Sequence, residues 1–218
     1  AATEAAADPA LQIIMKGQIH TDALMAALLK REAGIRTGRR LSHVFHMTVP
    51  GHDDPLLISD GALNVAPDAK TFEAIAGNLV TLCHRIAIPR PRIACLSATE
   101  EPLAQMPSSI AAGALADWAN GQGWSADFAG PMAFDNAVSP QAARLKKLEG
   151  PVPGAADALL APSIEVGNAL FKMMVYFQGA CAAGVVLGGR IPIIITSRAD
   201  PLEARLASAA LALLARGG

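Results

Sequence analysis

The chain has 218 residues, of which 52% are hydrophobic, 17% charged and 4% aromatic, with a formal net charge of -1. This composition excludes a disordered chain, and the near-neutral balance gives no general field to attract nucleic acid or an anionic membrane surface, so an anion site has to be built locally. Cys83, Cys95 and Cys181 have neither metal-ligand nor disulfide-framework spacing; they read as buried thiols of a reducing compartment. No apolar run reaches the roughly 18 residues of a membrane span, and the Ala-rich start lacks the basic end and apolar core of a signal peptide. A cytoplasmic protein is expected, with no nucleic acid or membrane partner.

Short apolar runs alternate with helix-length amphipathic segments, the pattern of an α/β class with mostly parallel sheets and helices on both faces. In chain order, the sequence predicts a strand at 11–15, a helix at 21–32 and two strands at 43–49 and 55–59. Pro50, Gly51 and His52 leave no room for a crossover helix between those two strands, so they form an antiparallel hairpin. A helix at 69–86, a strand at 92–96, a helix at 108–121, a strand at 126–129 and a helix at 139–147 follow. Next come a strand at 156–161, a helix at 163–177, strands at 183–187 and 191–196, and a helix at 201–215. In the helix from Ser163, Val166, Leu170, Met173, Met174 and Phe177 fall on one stripe and are expected in the core. The Gly150 to Gly154 stretch is the best candidate joint between two lobes. Residues 1–90 with the C-terminal segment 196–218 would form the first α/β domain, and residues 91–195 the second.

Several tempting motifs fail on context. Gly121, Gly123 and Ala126 have G-x-G-x-x-A spacing but follow a helix and lead into a strand, the reverse of a dinucleotide-binding turn. Cys83 and His84 are adjacent on a helix and cannot easily converge on one ion with Cys95. A satisfied or exposed His84 is expected instead. The Walker A and G-x-S-x-G patterns are missing from the sequence.

Polar residues gather where predicted strands end, which is where open α/β sheets bind ligands and where helix N-termini face anions. Lys16, Gly17, His20 and Thr21 follow the first strand, Asp60, Gly61 and Asn64 the third, and Ser97 and Thr99 the fourth. The last strand delivers Ser197, Arg198, Ala199 and Asp200 ahead of a helix opened by Pro201. A hydroxyl, a guanidinium and a helix N-terminus suit a phosphate or a developing oxyanion. Asp200, Pro201 and Glu203 equally suit N-cap, N1 and N3 positions, a structural reading of both carboxylates. The basic cluster Lys30, Arg31, Arg36, Arg39 and Arg40 fits either a solvated or dimer-facing surface or a phosphate site using Arg36 or Arg39.

Six stretches in one order carry a family resemblance. They are Met15-Lys16-Gly17 with His20-Thr21, Gly34 to Arg39 followed by Leu41 to Val44, and Ser59 to Asn64 with Ala66-Pro67. Then come Gly130-Pro131 with Phe134 to Ala137, Gly167-Asn168 with Lys172, and Thr196 to Asp200. From Met15 onward the chain resembles the phosphate acetyl/butyryltransferases, the butyryl-type members more than the acetyl-type. The resemblance implies a two-lobed fold similar to that of isocitrate and isopropylmalate dehydrogenases, usually a homodimer, with the site in the cleft. It implies acyl-CoA and inorganic phosphate as substrates, acyl phosphate and CoA as products, and no cofactor.

By that resemblance Ser197 and Arg198 are the catalytic pair, with Ser197 at the carbonyl or thiolate and Arg198 on phosphate. Lys16, Gly17, His20, Thr21 and Asn64 would help bind substrate, with Asp135, Asn136, Asn168 and Lys172 reaching the cleft. Lys172 also suits a solvated surface, and Asp135 and Asn136 a helix cap. Ala204 stands where acetyl-type members carry a proposed base, which leaves Asp200 and Glu203 as the neighbouring carboxylates. The resemblance begins at a strand internal to the family, so a longer parent protein is expected. The rival is a non-catalytic module binding CoA or acyl phosphate. A metal- and NAD-dependent dehydrogenase is weaker, because the cleft motifs lack Asp residues spaced for a divalent ion.

Overall fold

A computed structural model describes residues 2–197 and 200–216. Its strands are β1 (Ile14–Met15), β2 (Ser42–Thr48), β3 (Leu56–Ser59), β4 (Arg92–Leu96), β5 (Asp127–Met132), β6 (Ala158–Leu160), β7 (Cys181–Leu187) and β8 (Ile193–Ile194). Its helices are α1 (Ala2–Ala7), α2 (Thr21–Leu28), α3 (Ala69–Arg85), α4 (Pro107–Asn120), α5 (Phe134–Val138), α6 (Pro140–Leu145), α7 (Ile164–Gln178) and α8 (Leu202–Arg216). The short α1 and α5 are additions to the sequence expectation. The first and last predicted strands shrink to two residues each, at one margin of the sheet.

Local chemistry sets the helix ends. Asp68 caps α3 by accepting the Thr71 N–H at 2.8 Å, and Phe72, Ile75, Ala76, Leu79 and Cys83 then return to one buried face. Ser139 caps α6 by accepting the Ala142 N–H, with Pro140 in the first turn. Gly179, at φ 66°, ends α7 in the left-handed region.

All eight strands form one sheet in the order β1-β8-β7-β2-β3-β6-β4-β5. The β2–β3 hairpin is antiparallel as expected, with Val44 opposite Ser59. Antiparallel pairing goes further: β7 runs against β2 from Ser42↔Leu187 to Thr48↔Cys181, and β8 runs against β7. The sheet is therefore mixed, with four parallel and three antiparallel pairings among the described strands. Apolar runs disclose strands but not their direction; the connection through Gly188, Gly189 and Arg190 is too short for a parallel crossover.

Alternation along the strands divides the core. Ile93, Cys95 and Leu160 pack with α3, α4 and α8 on one face, while Ala94, Leu96 and Leu159 pack with α7 residues such as Met174 on the other. A third cluster joins Ile193 and Val186 to Leu24 and Leu28 of α2 and Ala6 of α1. The α7 stripe predicted for the core splits: Met174 is buried and Leu170 packs on the core, but Val166, Met173 and Phe177 are exposed, Phe177 at 81%. Cys83 and Cys95 are buried as expected, whereas Cys181 at the start of β7 is only half-buried. The Gly150 to Gly154 stretch packs into the loop before β6, with Val152 buried and the Gly154 N–H bonded to the Asn136 carbonyl at 2.7 Å.

Candidate active site

Strand direction sorts the candidate residues into two groups. β1 and β8 are parallel, with Met15 opposite Ile194, so Lys16 and the residues after Ile194 leave the sheet together. The Lys16 N–H donates to the Ile194 carbonyl at 2.9 Å, and the Thr196 hydroxyl donates to the Lys16 carbonyl at 3.3 Å. Lys16 is buried, and its ammonium turns back to the carbonyls of Gly17 at 3.3 Å and Ile19 at 3.1 Å. That places the cation inside the loop it shapes. Gly17 and His20 are exposed on the same loop, and His20 occupies the N-cap of α2 without a side-chain capping bond.

Ser197 is exposed beyond Thr196, and its N–H donates to Asp200 Oδ2 at 2.6 Å. The Asp200 N–H returns a bond to the Ser197 carbonyl at 3.2 Å. Asp200 thus closes the turn into α8, in keeping with a structural role for that carboxylate. Glu203 is exposed in the first turn of α8, beside the buried Ala204. Arg198 lies outside the described residues.

The second group gathers at the carboxyl ends of β3, β6, β4 and β5. Asp60, 2% exposed, is its hub: Oδ1 accepts the Ala62 and Leu63 N–H groups, and Oδ2 accepts the His43 N–H and Asn64 Nδ2. Asn64 also donates to the Leu41 carbonyl and accepts from Arg40 Nε, so its amide is committed to the scaffold. Gly61 and Gly167 let α7 approach closely: a Cβ on Gly167 would sit 2.5 Å from the Asp60 carbonyl oxygen. Asn168 uses that approach to donate to the Gly61 carbonyl at 3.2 Å, while Lys172, a turn further along α7, is exposed.

Glu100 holds the loops after β4 and β5 together, accepting from Asn136 Nδ2 and the Ala133 N–H and pairing with Lys146 at 3.0 Å. Burial would raise its carboxyl, but these three donors together bring it below the usual range. Asn136 is buried, whereas Asp135 is exposed. Glu100 was not singled out from sequence, and Asp60 only as a polar residue after the third predicted strand, without its role as a hub. Their signal was an acidic residue in a loop that follows a strand, directly for Asp60 and after three further residues for Glu100.

Because β8 opposes β7, β7 opposes β2 and β2 opposes β3, the two groups leave the sheet at opposite ends. Ile193 is level with Val186 and His43, and hence with Asp60. With about 3.3 Å per residue and about 4.8 Å between strands, Ser197 and Asp60 are on the order of 20 Å apart. The fold thus joins Lys16, Gly17, His20, Thr21 and Ser197 at one end, and separates them from Asn64, Asn136 and Asn168 within this chain. Arg36 bridges to Gly189, and the Thr37 hydroxyl donates to the Gly188 carbonyl, which sets Arg36 and Arg39 near the start of β8, also remote from Ser197. No group of three or more His, Cys, Asp or Glu among the described residues could hold a metal ion.

This architecture defines an α/β protein with loop-built sites at the strand ends, one of them pairing a lysine-shaped loop with a serine before a helix. The sequence pattern described as phosphate acetyl/butaryl transferase matches residues 1–213. A phosphate acetyltransferase of Rhizobium meliloti is 47% identical over 204 residues, covering 93% of this chain and 65% of that protein. A probable phosphate butyryltransferase of Bacillus subtilis is 41% identical over 204 residues, covering 93% of this chain and 68% of that protein. The crystal structure of a branched-chain phosphotransacylase from Enterococcus faecalis superposes with a TM-score of 0.91 at 34% identity, covering 99% of this chain and 79% of that one. The chain belongs to the phosphate acetyl/butyryltransferase family. It spans 61 to 65% of the length of the phosphate acetyltransferases from Rhizobium and Rickettsia that it matches.

Proposed function

We propose that this chain serves an acyl-CoA:phosphate acyltransferase, converting acyl-CoA and inorganic phosphate into acyl phosphate and CoA, with acetyl or butyryl as the acyl group. The observation that carries this reading is the parallel β1–β8 pair, which sets the Lys16 loop beside Thr196 and Ser197. The exposed loop from Gly17 to His20 runs into the N-terminus of α2, where N–H groups favour an anion. A phosphate held there attacks the thioester carbonyl. The C–O bond forms, the C–S bond breaks, and the proton of the hydrogen phosphate passes to the CoA sulfur. The balance needs no redox partner and no metal.

In this reading Ser197 donates to the carbonyl oxygen or the departing sulfur as negative charge develops, and Arg198 neutralises phosphate. Thr21 supplies a further hydroxyl at the first residue of α2, and the proton carrier is Glu203, or Asp200 through the oxygen that does not accept the Ser197 N–H. Substrate roles for Asn136 and Asn168 then require a second surface facing this one, for which we invoke a homodimer, while Asn64, its amide spent on Arg40, Leu41 and Asp60, would act by holding that loop. The exposed Val166, Met173, Tyr176 and Phe177 of α7 support such an assembly. We place the enzyme in the cytoplasm, without membrane or nucleic-acid partners.

The test follows free thiol as acyl-CoA and phosphate are mixed, comparing the protein with its Ser197→Ala form. Equal rates would remove Ser197 from the mechanism. The rival reading, a module that binds CoA or acyl phosphate without turnover, is favoured by the distance that separates Asn136 and Asn168 from Ser197 within this chain. CoA binding with no thiol release would establish it. Sedimentation showing a monomer at every concentration would remove the homodimer.

A further inference from the structure

Four arginines, Arg39, Arg85, Arg190 and Arg216, line a cavity of about 130 Å³ where the β7–β8 turn meets the ends of α3 and α8. Asn78 and Thr81 add polar walls, and no Asp or Glu is among the lining residues. The turn beneath is fixed by Gly188, whose φ of 92° and close approach to the Arg40 carbonyl exclude a side chain.

Part of this charge has local reasons. Arg85 and Arg216 stand in the last turns of α3 and α8, where the helix dipole favours a cation. Arg190 also donates to the carbonyls of Ala6 at 2.7 Å and Gly34 at 3.2 Å, and Arg216 to Gln12 Oε1 at 2.9 Å. Arg39 is different, since it comes from a loop, ends no helix and, like Arg85, makes no side-chain hydrogen bond or ion pair among the described residues. Like charges converging on one hollow repel one another until an anion enters.

We propose that this cavity binds a diphosphate group. Guanidinium forks match phosphate oxygens two at a time, and donors from two helix ends, a loop and a turn can surround more than one phosphoryl. The site lies at the start of β8, away from Ser197 at its far end, and does not depend on the acyltransfer reading.

Calorimetric titration with inorganic pyrophosphate in low-salt buffer tests it. Binding is expected, about tenfold or more weaker in the Arg39→Gln/Arg85→Gln double variant and unchanged in Ser197→Ala. Both arginines are exposed, so the double variant should fold, and its thermal melt checks this. The Arg39→Lys/Arg85→Lys protein, which keeps charge but loses the fork, should fall between. ADP binding more tightly than pyrophosphate would identify a nucleotide as the carrier of the group, and equal binding would identify the free diphosphate. Pyrophosphate affinity unaltered by the double substitution, loss of binding in Ser197→Ala instead, or no binding to the parent protein would overturn the assignment.

Discussion

The Thr196 hydroxyl donates to the carbonyl oxygen of Lys16 at 3.3 Å, joining two chain segments 180 residues apart at the mouth of the β1–β8 pair. With Lys16 folded back on Gly17 and Ile19, this bond fixes the loop on which the proposed phosphate site depends.

Thr196→Val removes that donor while keeping the shape. A lost hydrogen bond of about 1 kcal/mol corresponds to roughly fivefold in rate. The acyltransfer assay should show kcat/KM for phosphate reduced by about that factor, with Thr196→Ser restoring it. Lys16→Met should cost more, because it frees the Gly17 and Ile19 carbonyls together. Unchanged phosphate kinetics in both variants would separate the loop from the chemistry.

Two glycines should respond with opposite sign. Gly167→Ala drives a Cβ to 2.5 Å from the Asp60 backbone oxygen, whereas Gly77→Ala in α3 meets only the Trp124 ring at 3.6 Å. The first should destabilise by roughly 1 to 3 kcal/mol as α7 is pushed from the Asp60 loop, and the second should stabilise by about 0.5 to 1 kcal/mol through helix propensity. Urea melts of the two variants make the comparison. A neutral Gly167→Ala would mean that α7 can shift without loss.

Sequence periodicity was enough for the long helices and the β2–β3 hairpin, because a buried face repeats every three or four residues and a turn has its own chemistry. It could not give the direction of β7, which depends on partners distant in sequence. The same limit governed the site. Lys16 and Ser197 were legible because each follows a predicted strand and lies in a family stretch, yet their separation from Asn64 follows from the β7 reversal. Met173 and Phe177 have core-like spacing, but α7 meets the sheet through Met174 and Leu170, and spacing alone does not say which side of a wide apolar face is covered.

Asp60 accepts bonds from the Ala62, Leu63 and His43 N–H groups and from Asn64, all within a buried loop. Asp60→Asn keeps the volume but turns one acceptor into an amide donor facing donors. A loss of roughly 2 to 4 kcal/mol is expected in urea denaturation, since donors left buried without an acceptor cost more than an average hydrogen bond returns. Asn64→Ala, which removes only one of those donors, should cost less. Equal stability of Asp60→Asn and the parent protein would contradict the hub.

His43 should make stability fall as acid is added. Both its ring nitrogens are buried with no hydrogen-bond partner among the described residues, and the ring packs against Phe45 at 4.2 Å. Burial brings its pKa from 6.5 down to about 4, although the Asp60 charge opposes the shift. Between those values the unfolded chain takes up a proton that the folded protein refuses, so this contribution is retained above about pH 6.5 and diminishes toward pH 4. The loss amounts to roughly 3 kcal/mol over the window, and His46, lowered chiefly by burial, acts in the same direction. Urea melts from pH 4.5 to 7.5 should show that slope, and His43→Asn should reduce it by up to about 1.4 kcal/mol per pH unit, whatever the substitution does to stability at neutral pH. Asp127 and Glu165, whose pKa values are lowered by hydrogen bonds from Arg90 and Ser163 respectively, lose their contributions at lower pH and leave this window largely to the histidines. An identical slope in His43→Asn would mean that the ring is protonated or solvated in the folded protein.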